Sequence, residues 1–99
     1  MDCTTLKIEM TDNTKPKVLN LGKKHGSFII IIDSIDTSGA SAIFNVSMGH
    51  HGNVISRNSH AKSSNNQSVN LNTIDNKLNL IHSSDISDEI VNYQVKIIS

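Results

Sequence analysis

The sequence predicts an all-β fold, a jelly-roll-like antiparallel sandwich of about eight short strands forming a single domain over residues 1–99. Three observations lead to this prediction. Short segments in which apolar and polar residues alternate recur along the chain. Segments rich in Gly, Asn, Asp and Ser, which favour turns, lie between them. No stretch of a dozen residues has the apolar spacing of an amphipathic helix, and the nearest candidate is one short helical turn around residues 87–90.

The first three predicted strands lie in the N-terminal third of the chain. "TTLKIEM" alternates Leu6, Ile8 and Met10 with polar residues, which is typical of a half-buried strand. "PKVLNLG" is the second predicted strand and ends at a glycine. "SFIIIIDSI" is apolar on both faces, so we expect a central strand that is covered on both sides.

Four further strands are predicted between residues 40 and 83. "ASAIFNVSM" and "NVIS" predict the fourth and fifth strands, and the fifth is expected to be short. "SVNLN" directs Val69 and Leu71 inward, and "KLNLIHS" directs Leu78 and Leu80 inward. The inward residues expected in the fourth strand are Ala42, Phe44, Val46 and Met48.

The last predicted strand, "IVNYQVKIIS", has the most regular alternation of the chain. Tyr93, Val95 and Ile97 share one face with Val91, and Ile98 departs from the pattern because it falls on the opposite face. We therefore expect a half-buried strand with one isoleucine directed away from the core.

Composition suggests that the monomer is only marginally stable. Hydrophobic residues make up 36% of the chain and aromatic residues only 3%, so the core depends on Ile, Val and Leu. A neighbouring subunit would remedy this weakness by covering apolar side chains that a lone sandwich leaves in water. The predicted assembly interface consists of Ile29, Ile31, Ile43 and Ile98.

Charge and hydropathy argue against several classes of partner. Nine basic and nine acidic side chains give a net charge of zero, so the basic excess that nucleic-acid binding requires is missing. The longest apolar run, residues 28–32, is too short to span a bilayer, and no signal peptide is recognised. Cys3 is the single cysteine, which excludes an intrachain disulfide and suggests a cytosolic origin with a reduced thiol.

The segment "GHHGN" carries the most distinctive local chemistry. His50 and His51 lie between two glycines, which predicts a solvated turn whose polar groups could contact a ligand. The predicted ligand-contact loops comprise this pair together with Asn65 and Asn66. Metal binding through the two histidines is a weaker alternative, because adjacent side chains in an extended strand diverge. We predict no metal, no cofactor and no enzymatic activity, since no catalytic motif is recognised.

Four stretches carry a resemblance to a known group of proteins. They are a Gly-Ser strand with an aliphatic run, a "GASAIF" strand, a Leu-x-Leu strand and a terminal "YQVKI" strand, at residues 26–32, 39–44, 78–80 and 93–97. In this order they resemble the small β-sandwich modules of viral spike, fibre-head and minor capsid proteins. The resemblance spans about residues 26–99 and rests on strand pattern.

The resemblance implies a structural virion component, commonly trimeric, that is assembled in the host cytoplasm and bound to copies of itself or to other capsid proteins. The scarcity of aromatic residues departs from trimeric members of the group, which often bury rings around their axis. The alternative is a β-sandwich module that binds a glycan or a receptor through its polar loops.

Overall fold

A computed structural model describes residues 3–10, 16–21, 25–35, 40–61, 68–83 and 90–99 of the chain. Within these ranges all regular secondary structure is extended, and each of the predicted strands is present. The strands are β1 (Cys3–Met10), β2 (Lys17–Val18), β3 (Gly26–Ser34), β4 (Ser41–Gly49), β5 (Gly52–Ala61), β6 (Ser68–Ile74), β7 (Lys77–Ser83) and β8 (Val91–Ile98).

The strands form two antiparallel sheets. The larger sheet has the order β1-β8-β3-β4-β5, and the smaller sheet has the order β2-β7-β6. The jelly-roll-like feature is that β1 and β2 pair with β8 and β7, respectively, in different sheets. The prediction of an all-β antiparallel sandwich is therefore confirmed.

The core consists of the inward side chains of both sheets. Alternation places Phe44 and Val46 of β4, and Tyr93 and Val95 of β8, at no more than 1% exposure. Val69, Leu71, Leu78 and Leu80 of the smaller sheet are also buried in the same hydrophobic cluster. The inward residues predicted for these strands are confirmed.

A two-residue turn closes the hairpin between β6 and β7. Ile74 pairs with Lys77, and the two turn residues, Asp75 and Asn76, have φ values of 53° and 62°. Asn and Asp tolerate this left-handed conformation better than most residues, and paired positive φ values suit the twist of a tight hairpin.

One expectation about the strands is met only in part, and another is wrong. β3 is central in its sheet, but only its inner face is covered, because 43% of Ile29 remains exposed on the outer face. β5 has ten residues where a short strand was expected. Its register against β4 shifts between Ile43 and Phe44, so Asn58 is an extra residue that interrupts the alternation.

Two other findings concern helices. The short helical turn expected around residues 87–90 falls largely outside the described residues. In the part of the chain that the structure describes, no helix has the length and hydropathy required to cross a membrane.

Candidate functional site

The four isoleucines of the predicted interface lie together on the outer face of the larger sheet. Ile29 of β3 is directly opposite Ile98 of β8, and Ile31 of β3 is directly opposite Ile43 of β4. Ile29 and Ile31 are two residues apart on one strand and therefore share this face. We call this group of four residues the isoleucine face.

The isoleucine face is accessible to solvent at the centre of the sheet. Ile29 and Ile43 are 43% and 37% exposed, and Ile31 and Ile98 are half-buried. Their strand neighbours Ile30, Ile32 and Ile97 point to the opposite side and are buried. The local sequence thus supplies apolar side chains to both faces of β3, whereas the fold covers only the inner one.

Neutral polar groups flank the isoleucine face. A shallow depression of about 560 Å³ beside Ile29 and Ile98 is also bordered by Ser27, Asn45 and Ser47. The Ser27 and Ser47 hydroxyl oxygens lie 3.4 Å apart across β3 and β4. An apolar centre with a hydroxyl and amide rim is the arrangement found in protein–protein interfaces.

Charged side chains occupy only part of the same face. Lys96 of β8 is opposite Ile31, and Asp33 of β3 is opposite Gln94, so one positive and one negative group border the isoleucines. Cys3, whose thiol is free, is opposite Ile98 on β1. The outer face therefore has no charge excess that would favour a strongly charged partner.

The histidines of the "GHHGN" segment lie at one end of the larger sheet. His50 and His51 form the turn between β4 and β5, which confirms the predicted glycine-flanked turn. A Cβ atom at Gly49 would lie 3.1 Å from the Gly52 carbonyl oxygen, a tight contact that the turn would have to relax by a few tenths of an ångström. The His25 ring lies 5.3 Å from the His50 ring, which is 4.9 Å from the His51 ring.

This cluster brings three exposed imidazoles together, but it is not arranged as a metal site. Within the described ranges, no group of three or more His, Cys, Asp or Glu side chains could hold a metal ion. His60 lies on β5 opposite Ala42, and His82 is buried in the core, so neither joins the cluster. Asn65 and Asn66, the other predicted ligand contacts, lie outside the described residues.

A buried polar contact joins His82 of β7 to Tyr93 of β8, and thus joins the two sheets. His82 Nδ1 lies 2.5 Å from the Tyr93 hydroxyl oxygen, and the two side chains are 2% and 0% exposed. Sequence reasoning missed this pair. The signal was present, because His82 continues the inward series that Leu78 and Leu80 begin.

A polar cleft lies between β1, at the edge of the larger sheet, and β2 of the smaller sheet. Its volume is about 440 Å³, and it is lined by Lys7, Ile8 and Glu9 of β1 and by Lys17 and Val18 of β2. Val18 is 57% exposed beside this cleft.

Comparison of the chain with protein-family models, with curated proteins and with solved structures gives no match.

Proposed function

We propose that this chain is a structural component of a virus particle that assembles by burying the isoleucine face against another subunit. The observation that carries the proposal is the grouping of Ile29, Ile31, Ile43 and Ile98 into two facing pairs at the centre of an exposed sheet. Exposed apolar residues that are scattered singly need no explanation, whereas a contiguous group indicates a contact surface.

The energetic argument concerns the area that remains in water. Fully burying an isoleucine side chain contributes about 1.5–3 kcal/mol, and these four are already partly covered by their neighbours. We expect each to contribute about 1 kcal/mol on association. A symmetric interface buries the same residues of both copies. The summed contribution of these isoleucines is therefore comparable with the binding free energy of an assembly with micromolar affinity.

The virus-particle part of the proposal rests on the resemblance of the strand pattern to spike, fibre-head and minor capsid modules. Such a component would reside in the virion after assembly in the host cytoplasm. A second copy of this chain is the leading partner, and another capsid protein is the second. The neutral rim of Ser27, Asn45 and Ser47 suits either partner.

Sedimentation velocity over a concentration series tests the assembly. Ile29→Thr combined with Ile43→Thr keeps two β-branched residues on the strands while removing apolar area from the face. We expect this double variant to weaken self-association at least about tenfold. Ile74→Thr is the matched control, because Ile74 is 38% exposed but lies at the end of the smaller sheet.

Self-association that the double variant leaves unchanged would refute the role of the isoleucine face. Monomers alone over the whole series would refute self-assembly. In that case, co-purification of the chain with isolated virus particles would indicate that its partner is another capsid protein, and its absence from the particles would refute a structural role. We would infer that the isoleucine face binds that capsid protein only if the double variant also fails to co-purify with the particles.

The three clustered imidazoles favour a second candidate function, the binding of a glycan or a receptor. His25, His50 and His51 present ring nitrogens at one exposed end of the sheet, and these can donate or accept hydrogen bonds to sugar hydroxyls. A glycan array probed with the wild-type protein is expected to show binding that His50→Ala removes. An array without hits would exclude glycans as the ligand.

A further inference from the structure

The edge strands of the sandwich differ in how they are protected. β5, at one edge of the larger sheet, contains the bulge at Asn58, and its Asn53 accepts a 3.0 Å hydrogen bond from Thr73 of β6. Bulges and contacts that cover an edge are devices that prevent edge-to-edge pairing. β1, at the other edge, pairs with β8 over eight residues without any register shift. It is therefore a regular edge beside an open cleft.

The sequence of β1 is complementary to itself when two copies run antiparallel. With Ile8 opposite the partner's Ile8, Lys7 of each copy lies opposite Glu9 of the other, and Leu6 lies opposite Met10. Lys7 and Glu9 are exposed on the outer face, and Leu6 and Ile8 are half-buried on the inner face. The pairing thus matches opposite charges outside and apolar side chains inside.

The nearest alternative registers are less favourable. A shift of two residues in one direction sets Lys7 opposite Lys7, and a shift in the other direction sets Glu9 opposite Glu9. Like charges directly opposite each other destabilise a strand pair. A shift of one residue would turn the inner face of the partner strand outward, because side chains alternate between faces.

We propose that β1 pairs antiparallel with β1 of a second copy of this chain, with Ile8 of the two copies opposite each other on a two-fold axis. This surface is separate from the isoleucine face and rests on the proposed function only in taking a second copy as the partner. The two larger sheets become one continuous sheet of ten strands, and the added strand lies beside the cleft at Ile8 and Val18.

The pairing has a consequence for the isoleucine face. A two-fold axis perpendicular to the sheet keeps the outer faces of both copies on the same side. The dimer therefore presents two isoleucine faces in one direction, and both can dock on the same neighbouring surface. Bivalent docking of this kind strengthens attachment without any new contact.

Charge reversal tests the register by sedimentation equilibrium at low ionic strength. With Lys7→Glu alone, the new carboxylate of each copy lies opposite Glu9 of the other copy, so the dimer contains two repulsive pairs. With Glu9→Lys alone, two pairs of ammonium groups oppose each other in the same way. We expect each single variant to raise the dimer dissociation constant on the order of tenfold. The double variant restores opposite charges and is expected to recover wild-type dimerisation.

Disulfide trapping tests the same register independently of charge. In a Cys3→Ser background, Ile8→Cys places two thiols at directly opposed positions, whose Cα atoms are about 4.5–5.5 Å apart in an antiparallel pair. Lys7→Cys is the matched control, because its thiols are diagonal neighbours with Cα atoms about 7–8 Å apart, beyond disulfide reach. We expect a crosslinked dimer with the first variant only.

Crosslinking through Lys7→Cys but not Ile8→Cys would overturn the proposed register. A failure of the double charge variant to recover dimerisation, with circular dichroism of the variants unchanged, would overturn the charge pairing. Dimerisation or larger assembly without either effect would overturn β1 pairing while leaving the proposed function intact. The converse result is crosslinking through Ile8→Cys while the combined Ile29→Thr and Ile43→Thr substitutions leave assembly unchanged. That result would support β1 pairing and refute the role of the isoleucine face in assembly.

Discussion

At the scale of single residues, the contact between His82 and Tyr93 connects the two sheets with a directed polar interaction inside the core. Buried polar groups are costly unless they are hydrogen-bonded, and this contact offsets part of that cost for both side chains. The core has few aromatic rings, and Tyr93 is among its fully buried side chains. This pair therefore fixes how β7 of one sheet faces β8 of the other.

Tyr93→Phe is expected to lower the free energy of unfolding by about 1–3 kcal/mol, because it keeps the ring but removes the hydroxyl group that contacts the buried imidazole. Urea denaturation followed by circular dichroism measures this change. Ser27→Ala also removes a hydroxyl from a side-chain pair, but on the exposed face, and should change stability by less than about 0.5 kcal/mol. Equal effects of the two substitutions would contradict the role assigned to the buried pair.

The residue scale also shows what sequence reasoning could and could not reach. Ile29, Ile43 and Ile98 could be placed on an outward face because alternation alone fixes the side of each residue. Their grouping into facing pairs could not be predicted from the sequence, because it depends on the register between β3, β4 and β8. The proximity of His25 to His50 likewise depends on strand pairing across a long sequence separation.

At the scale of secondary-structure elements, the hairpin of β6 and β7 shows how a short turn determines register. The segment "IDNK" predicts a turn, and the structure places Asp75 and Asn76 there with positive φ. A two-residue turn of this kind aligns Ile74 with Lys77 and so sets the pairing of both strands.

Asn76→Gly and Asn76→Ala should change stability in opposite directions. Glycine adopts the φ of 62° without steric cost, so Asn76→Gly is expected to raise the free energy of unfolding by up to about 1 kcal/mol. Alanine is strained in the left-handed region, so Asn76→Ala should lower it by about 1 kcal/mol. Thermal unfolding of the three proteins checks both signs, and a stabilising alanine would show that the turn has another conformation.

The elements that sequence reasoning described incorrectly share a physical cause. β5 is an edge strand with polar side chains on both faces, and Asn58 interrupts its period, so no alternation marks its full length. β3 was expected to be covered on both sides because its residues are apolar on both sides. The sequence shows that the outer face of β3 is apolar, but not whether this chain or another one covers it.

At the scale of the whole molecule, the sandwich is asymmetric in a way that suits assembly. The five-stranded sheet packs its inner face against a sheet of only three strands, and its outer face exposes the four isoleucines. The same sheet ends at β1, a regular edge beside the open cleft. Both features belong to the larger sheet, so one assembly can use them together.

The stoichiometry of the assembly distinguishes this arrangement from the trimer that the resemblance implies. Pairing of β1 about a two-fold axis consumes one edge of each copy, so even-numbered assemblies should dominate. Crosslinking with a lysine-reactive reagent followed by gel electrophoresis is expected to give dimers and tetramers. A predominant trimer would contradict two-fold pairing while remaining compatible with burial of the isoleucine face.

Native mass spectrometry of the wild-type protein, from about 1 to 100 µM, tests self-assembly most directly, because this range covers affinities typical of modest protein interfaces. We predict species at multiples of the 10.8 kDa chain mass, and their fraction should grow with concentration and fall when Ile29→Thr and Ile43→Thr are introduced together. A spectrum that contains only the 10.8 kDa monomer at every concentration would contradict the proposed self-assembly.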